Sequence, residues 1–131
     1  MRDNFAARAR ALVGVRFRPQ GRSDEGLDCL GLVLATYGIA ADSVRRNYAL
    51  RGDHLAEVTA GLAGEFRSVS HAGAGDLLLI KAGADQLHFE IRTDRGFVHA
   101  HAGIGRVVET PGQPEWPVIG AYRKRLRQRK G

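Results

Sequence analysis

The second half of this 131-residue chain consists of short segments in which hydrophobic and polar residues alternate. A two-residue period places successive side chains on opposite faces and is typical of β-strands. Glycine, aspartate and proline separate six of these segments, which predicts antiparallel strands joined by short turns. The predicted strands are residues 66–70, 76–81, 86–92, 97–101, 105–109 and 117–123.

The first half of the chain is predicted to be helical. The predicted helices are residues 3–13, 29–37 and 53–63. Asp3 or Asn4 is placed to cap the first helix, which is rich in alanine, and Gly14 is placed to end it. The second is apolar on nearly all sides, which indicates a buried helix that stops at Gly38. Asp53 is the candidate cap of the third. Helices followed by antiparallel strands predict an α+β fold, with N-terminal helices packed on a C-terminal sheet.

The length and the hydrophobic content of 44% predict a single domain over residues 1–122, large enough to bury a core. No apolar run approaches the ~20 residues that a membrane-spanning helix needs. The residues after Met1 lack the apolar core of a signal peptide. The sequence therefore predicts no membrane span, and synthesis in the cytoplasm without Sec-type export.

Residues 123–131 are predicted to form a basic C-terminal tail with six positive charges and no acidic residue. The remainder of the chain carries 14 basic and 14 acidic residues, so the net charge of +6 belongs to the tail. Such a tail attracts polyanions in general or is simply a solvated end. The charge therefore predicts no specific nucleic-acid partner.

The single cysteine, Cys29, lies where an irregular segment becomes the apolar helix. The backbone N–H groups and the dipole at a helix start favour the thiolate, which is the nucleophilic form of the side chain. Downstream, His88 and His99 lie in two predicted strands on either side of a turn. One thiol followed by two strand histidines is the composition of a cysteine hydrolase, although a lone cysteine is also a common core residue.

The turn between the two histidine strands predicts how the histidines face each other. A four-residue loop over 92–95 would place His88 directly opposite His99, with their Cβ atoms ~4.5–5.5 Å apart. One imidazole could then orient the other, and Cys29 packed on the same face would complete a nucleophile, a base and an orienting group. His101 shares a face with His99 and is an alternative third member.

A metal site is the alternative to this arrangement. His88, His99 and His101 could bind zinc together, but the sequence argument finds no carboxylate or second cysteine at ligand spacing beside them. The prediction is therefore that the site holds no metal and needs no cofactor. Trp116 is expected to be a packing residue, and His71 is expected to lie at the surface together with His54.

Several short motifs in a fixed order resemble a known family. They are Gly14-Val15-Arg16-Phe17-Arg18-Pro19-Gln20, Asp28-Cys29-Leu30-Gly31-Leu32-Val33, Gly75-Asp76-Leu77-Leu78-Leu79-Ile80, His88, and Phe97-Val98-His99-Ala100. This order resembles the NlpC/P60 cysteine peptidases. Within that family it is most similar to the short tail peptidases of phages and gene-transfer agents, which share the ending Val107-Val108-Glu109-Thr110-Pro111.

The resemblance implies a papain-like α+β core with Cys29 as nucleophile, His88 as base and His99 as the residue that orients the base. The implied substrate is the stem peptide of bacterial peptidoglycan, cut between γ-D-glutamate and the diamino acid. Phe17 departs from the family pattern, because many members have a tyrosine there whose hydroxyl is thought to polarise the substrate carbonyl.

The residues expected to contact the substrate are Phe17, Gln20, Asp28 and His101. Asp28 is expected to begin the helix and not to act as a catalyst. The resemblance also implies delivery in a phage-like tail particle, with tail proteins as partners. Two rival functions share the same fold, namely an acyltransferase or other amide hydrolase, and a tail-tip structural subunit that has lost activity.

Overall fold

The computed structural model describes residues 4–18, 22–23, 26–39, 61–82 and 86–126 of the chain. Two helices, α1 and α2, precede most of the strands, and a short hairpin of β1 and β2 lies between the helices. The elements are α1 (Phe5–Ala11), β1 (Arg22–Ser23), β2 (Gly26–Leu27), α2 (Cys29–Tyr37), β3 (Phe66–Ser68), β4 (Leu77–Lys81), β5 (Leu87–Arg92), β6 (Gly96–His101), β7 (Arg106–Pro111) and β8 (Val118–Lys124).

The helices begin and end at the polar and glycine residues that the sequence offers. Helix α2 has the predicted bounds and stops at Gly38, whose φ of 70° is the left-handed conformation that glycine adopts readily. Asn4 caps α1 by accepting a hydrogen bond from Ala7 N at 3.0 Å. Helix α1 ends at Ala11, two residues before the predicted end. Of the predicted third helix only residues 61–63 are described, and they are helical.

The predicted C-terminal sheet is confirmed, and each of the six predicted strands forms within two residues of its expected bounds. The sheet is antiparallel throughout, in the order β3-β8-β4-β5-β6-β7. Strands β4 and β5 are central, and their side chains are largely buried. The histidine strands β5 and β6 are therefore held near the middle of the sheet and not at its edge.

Helix α2 packs on β5 and β6 and contributes to the main hydrophobic core. Its fully buried side chains include Leu32 and Val33. At its C-terminal end the Tyr37 hydroxyl donates a hydrogen bond to the Gly75 carbonyl at 2.8 Å. Among the described helices none has the length and hydrophobicity that crossing a membrane requires. The packing of α2 fixes its first turn, and with it Cys29, beside the histidine strands.

Strand β8 includes the first two residues of the predicted basic tail. Strand β8 continues to Lys124, so Arg123 and Lys124 belong to the sheet and pair with β3. The Arg123 guanidinium donates to both oxygens of the buried Asp76 carboxylate, at 3.0 and 2.8 Å. Lys124 lies 3.0 Å from Glu65. The sequence suggested a tail at 123 because an unbroken basic run hides which of its residues have acidic partners.

The register of the β5–β6 hairpin also differs from the prediction. Ile91 pairs with Val98 and Arg92 with Phe97, so the loop is 93–96 and not 92–95. The Thr93 hydroxyl closes this turn by accepting a hydrogen bond from Gly96 N at 3.0 Å. The same register, continued along the strands, brings Glu90 and not His88 opposite His99. The predicted face is unchanged, because the register moves by a whole two-residue period.

Candidate active site

A cleft of about 730 Å³ lies where the start of α2 meets β5 and β6. The predicted site residues that line it are Phe17, Asp28, Cys29, His88, His99 and His101. Gln20, the remaining predicted site residue, lies outside the described residues. Residues that are separated by up to 84 positions in the chain thus share one solvent-accessible cavity.

Cys29 is the first residue of α2 and is partly exposed in the cleft. Asp28 caps the helix, because its carboxylate accepts a hydrogen bond from Gly31 N at 2.8 Å. This confirms Asp28 as the residue at the helix start. A thiol at this position lies next to the N–H groups of the first helical turn and the positive end of the helix dipole, both of which stabilise a thiolate.

The two histidines face each other across a buried carboxylate that the sequence reading missed. Glu90 Oε2 lies 3.5 Å from His88 Nε2 and 3.5 Å from His99 Nδ1. The two imidazole rings are nearly perpendicular, with centroids 6.1 Å apart. On its far side His99 Nε2 is within 2.9 Å of the Thr110 hydroxyl. The cluster therefore runs in the order His88, Glu90, His99 and Thr110.

Glu90 contradicts the argument that no carboxylate stands beside the histidines. Residues 88 and 90 of one strand point to the same face, so the sequence already contained the signal. Glu90 is 4% exposed, and its Oε1 atom is buried without a hydrogen-bond partner among the described residues. A buried carboxylate with an unsatisfied oxygen is costly in free energy, and this one lies between two histidines.

Burial shifts the pKa values of His88, Glu90 and His99 in the directions that favour their neutral forms. It lowers the pKa of His88 to about 4, with a smaller effect from the charge on His101. It lowers the pKa of His99 to about 4 as well, assisted by charge on His88 and His101. It raises the pKa of Glu90 to about 7. At neutral pH both imidazoles are therefore uncharged, and a neutral imidazole is able to accept a proton.

The rim of the cleft carries aromatic and polar side chains. Trp116 is 49% exposed and lines the cleft, whereas the sequence predicted only a packing role for it. His101 Nδ1 accepts a hydrogen bond from Ile104 N at 3.0 Å, which ties this imidazole to the turn after β6. Phe17 is partly buried against the core and also faces the cleft. His71 is exposed, as predicted.

No protein-family model matches the chain. The chain does match a curated relative, the murein DD-endopeptidase MepS/murein LD-carboxypeptidase of Escherichia coli strain K12. It is 31% identical over 106 residues, which are 79% of this chain and 51% of the relative. The proteins of the same name from the O6:H1 and O157:H7 strains match equally well. The chain thus spans about half the length of the curated relatives it matches.

The fold is also similar to that of a solved structure, the NlpC/p60 domain of the peptidoglycan hydrolase SagA. The TM-score is 0.56 at 20% sequence identity, and the match covers 94% of this chain and 97% of the SagA chain. The predicted α+β, papain-like core is therefore confirmed. Together, the sequence relative and the structural neighbour support the family that the order of the motifs resembles.

Proposed function

We infer that the chain belongs to the NlpC/P60 family of peptidoglycan hydrolases and acts as a cysteine peptidase on the peptide stems of bacterial cell walls. The observation that carries this proposal is the cleft itself, which is lined by Cys29 at a helix start and by the neutral His88 and His99. The similarity to MepS supplies the substrate class. The proposal uses both the cleft residues and the similarity to MepS, because a shared fold by itself does not establish a shared function.

The proposed reaction is acyl transfer to the thiol followed by hydrolysis. His88 takes the proton of Cys29 as the sulfur attacks the carbonyl carbon of the scissile amide. The amide C–N bond then breaks, and the proton held by His88 leaves with the amine. Water, deprotonated by the same imidazole, attacks the thioester and releases the new carboxylate. The thiol is restored when the proton returns to the sulfur.

Glu90 and His99 are proposed to hold the base in position. Because His88 Nε2 faces the Glu90 carboxylate at 3.5 Å, Nδ1 is the ring nitrogen left for the thiol. His99, anchored by Thr110, positions that carboxylate from its far side. His99 thus orients the base through Glu90, and this refines the proposed Cys29, His88 and His99 triad. Replacing His99 by alanine is expected to cost less activity than replacing His88.

The negative charge that develops on the substrate oxygen needs a donor, and Phe17 supplies none. The proposed donor is the backbone N–H of Cys29 at the start of α2, where the helix dipole adds to the stabilisation. Phe17, Asp28, His101 and Gln20 are proposed to border the bound stem peptide. In this arrangement Phe17 contributes apolar contact and not a hydrogen bond.

The scissile bond is proposed to be the one between γ-D-glutamate and the diamino acid, in the setting of a phage-like tail particle. Both details come from the resemblance of the motifs. The name of the E. coli relative indicates a different specificity for that protein, toward DD and LD bonds. The proposal therefore requires a substrate panel that distinguishes these bonds.

Defined muropeptides provide that panel. A disaccharide tripeptide, a disaccharide tetrapeptide and a cross-linked dimer are incubated with the protein, and the products are identified by mass spectrometry. The proposal expects release of the diamino acid end from the tripeptide. Loss of only the terminal residue of the tetrapeptide, or opening of the dimer cross-link alone, would assign a different bond. Transfer of the stem to an added amine would indicate an acyltransferase, and no product with any substrate would indicate a silent subunit.

A further inference from the structure

We propose that His88, Glu90 and His99 form a binding site for a divalent transition metal of the Zn²⁺ class, and that metal bound there switches the peptidase off. The metal site rests on the geometry of these three residues. The switching effect rests in addition on the proposed function, in which His88 is the base. The experiments below separate the two parts.

The spacing of the three groups fits metal ligands better than it fits hydrogen bonds. Each residue offers one ligand atom, and these atoms all lie within 4.8 Å of one another. The two contacts of Glu90 Oε2 are both 3.5 Å, whereas a hydrogen bond to a carboxylate is usually about 2.7–2.9 Å long. Zinc–ligand bonds of about 2.0–2.2 Å in a tetrahedron place neighbouring ligand atoms roughly 3.3–3.5 Å apart.

The chemistry of the cluster points to the same class of ligand. Two imidazoles and one carboxylate with an open fourth position are a common set of protein ligands for Zn²⁺. The oxygen-preferring ions Mg²⁺ and Ca²⁺ would find only one oxygen-donating side chain in this set. Glu90 Oε1, which is buried and lacks a partner among the described residues, is a further oxygen that a metal could engage.

The anchoring of the ligands favours binding without rearrangement of the fold. All three residues lie on two strands of the sheet, and the His99 ring is already oriented by Thr110. A second group that orients a histidine ligand is a usual feature of protein metal sites. Because the ligand atoms already lie within 4.8 Å of one another, a small movement of the side chains is enough for both imidazoles to bind one ion.

Metal at this position would disable the proposed base by fixing its tautomer. A metal bound to Nε2 of His88 leaves the ring proton on Nδ1, the nitrogen that faces the thiol in the proposed reaction. An imidazole that already carries a proton at Nδ1 cannot accept another from Cys29 while the metal remains bound. Hydrolysis should therefore stop at metal concentrations that fill the site and recover when a chelator removes the metal.

Metal binding is tested on the whole chain without an affinity tag. Co²⁺ is titrated into the protein and followed by its visible absorption, with Zn²⁺ as competitor and Mg²⁺ as a control ion. The expected result is one tight site for Co²⁺. Zn²⁺ should displace Co²⁺ from this site, and Mg²⁺ should not. Glu90→Gln should weaken binding at least about 100-fold, because loss of a supporting residue alone commonly costs 10–100-fold. Glu65→Gln, a matched change at an exposed glutamate, should bind as the wild type does.

The titration is repeated in Cys29→Ala, which removes the thiol and any turnover. Retained binding in this variant supports the proposed ligands, whether or not the protein proves to be a peptidase. Binding that is lost in Cys29→Ala and kept in Glu90→Gln would overturn the proposal, since the thiol would then be the main ligand. Equal binding by the wild type and Glu90→Gln would overturn it as well.

Inhibition is measured as hydrolysis of a soluble stem peptide at buffered free Zn²⁺. The proposal expects half-inhibition at the concentration that half-fills the site, and full recovery with EDTA. Any activity left in Glu90→Gln should resist Zn²⁺ to at least about 100-fold higher concentration, in line with its weaker binding. Activity that rises with Zn²⁺ and is abolished by EDTA would overturn the switching effect while leaving the metal site in place.

Discussion

Replacing Glu90 with glutamine should stabilise the protein at alkaline pH. Glutamine has nearly the same shape as a protonated glutamate and keeps a polar group between His88 and His99. It removes the negative charge that the wild type must hold in a buried position above neutral pH. The effect on stability should therefore depend on pH in a way that ordinary changes in packing do not.

The magnitude follows from the shift in the pKa of Glu90 from 4.5 to about 7, which burial causes. A carboxyl group with a raised folded-state pKa contributes stability below its unfolded pKa, and that contribution is lost as the pH rises through the folded pKa. At about 1.4 kcal/mol per pKa unit, the full loss is about 3 kcal/mol. Between pH 5 and pH 8 the wild type should lose about 2.5 kcal/mol of unfolding free energy relative to Glu90→Gln.

Urea denaturation measures this difference directly. Wild type and Glu90→Gln are unfolded at pH 5, 6, 7 and 8 in the presence of EDTA, which keeps metal out of the site. The lowered pKa values of His88 and His99 destabilise both proteins as the pH falls from about 6.5 toward 4, and this effect largely cancels in the comparison. Glu65→Gln controls for the loss of one negative charge. A stability difference that stays constant from pH 5 to pH 8 would refute the reasoning.

Three further predictions concern the base and the end of the chain. His88→Ala should lower kcat/KM nearly as much as loss of the thiol, because the members of such a site act as a unit, whereas His71→Ala at an exposed histidine should be neutral. The acid limb of the kcat/KM profile should lie near pH 4, where burial places the pKa of His88, and a limb at pH 6.5 would contradict this. Deleting residues 127–131 should leave the thermal unfolding midpoint unchanged. Deleting 123–131 should lower it, because Asp76 loses Arg123; equal midpoints would count against the ion pair.

The sequence predicts the elements of the fold because local signals and burial agree along most of the chain. The apolar run of α2 is bounded by Asp28 and Gly38, which cap it at both ends. The strands of the sheet are bounded by turn residues at the expected intervals. The family resemblance adds the papain-like arrangement, which periodicity alone does not specify.

The hairpin register and the end of the domain were not predicted from the sequence, because they depend on side-chain contacts. The register of the β5–β6 hairpin is set by the Thr93 hydroxyl, which bonds to Gly96 N and to the Glu109 carboxylate on β7. The end of the domain is set by the ion pair of Arg123 with Asp76. Neither contact is visible from the two-residue period or from the local charge. Glu90 differs, because alternation alone places it on the same face of the strand as His88.

The most direct test of the proposed function is the release of muropeptides from purified sacculi by the wild type and by Cys29→Ala. Both digests are analysed by mass spectrometry after the same incubation, and a sample of wild type alkylated at its single cysteine is run beside them. The account predicts stem-peptide fragments from the wild type and none from Cys29→Ala or the alkylated protein. Fragments of the same kind released by Cys29→Ala would contradict it, because the chemistry would then lie outside the thiol.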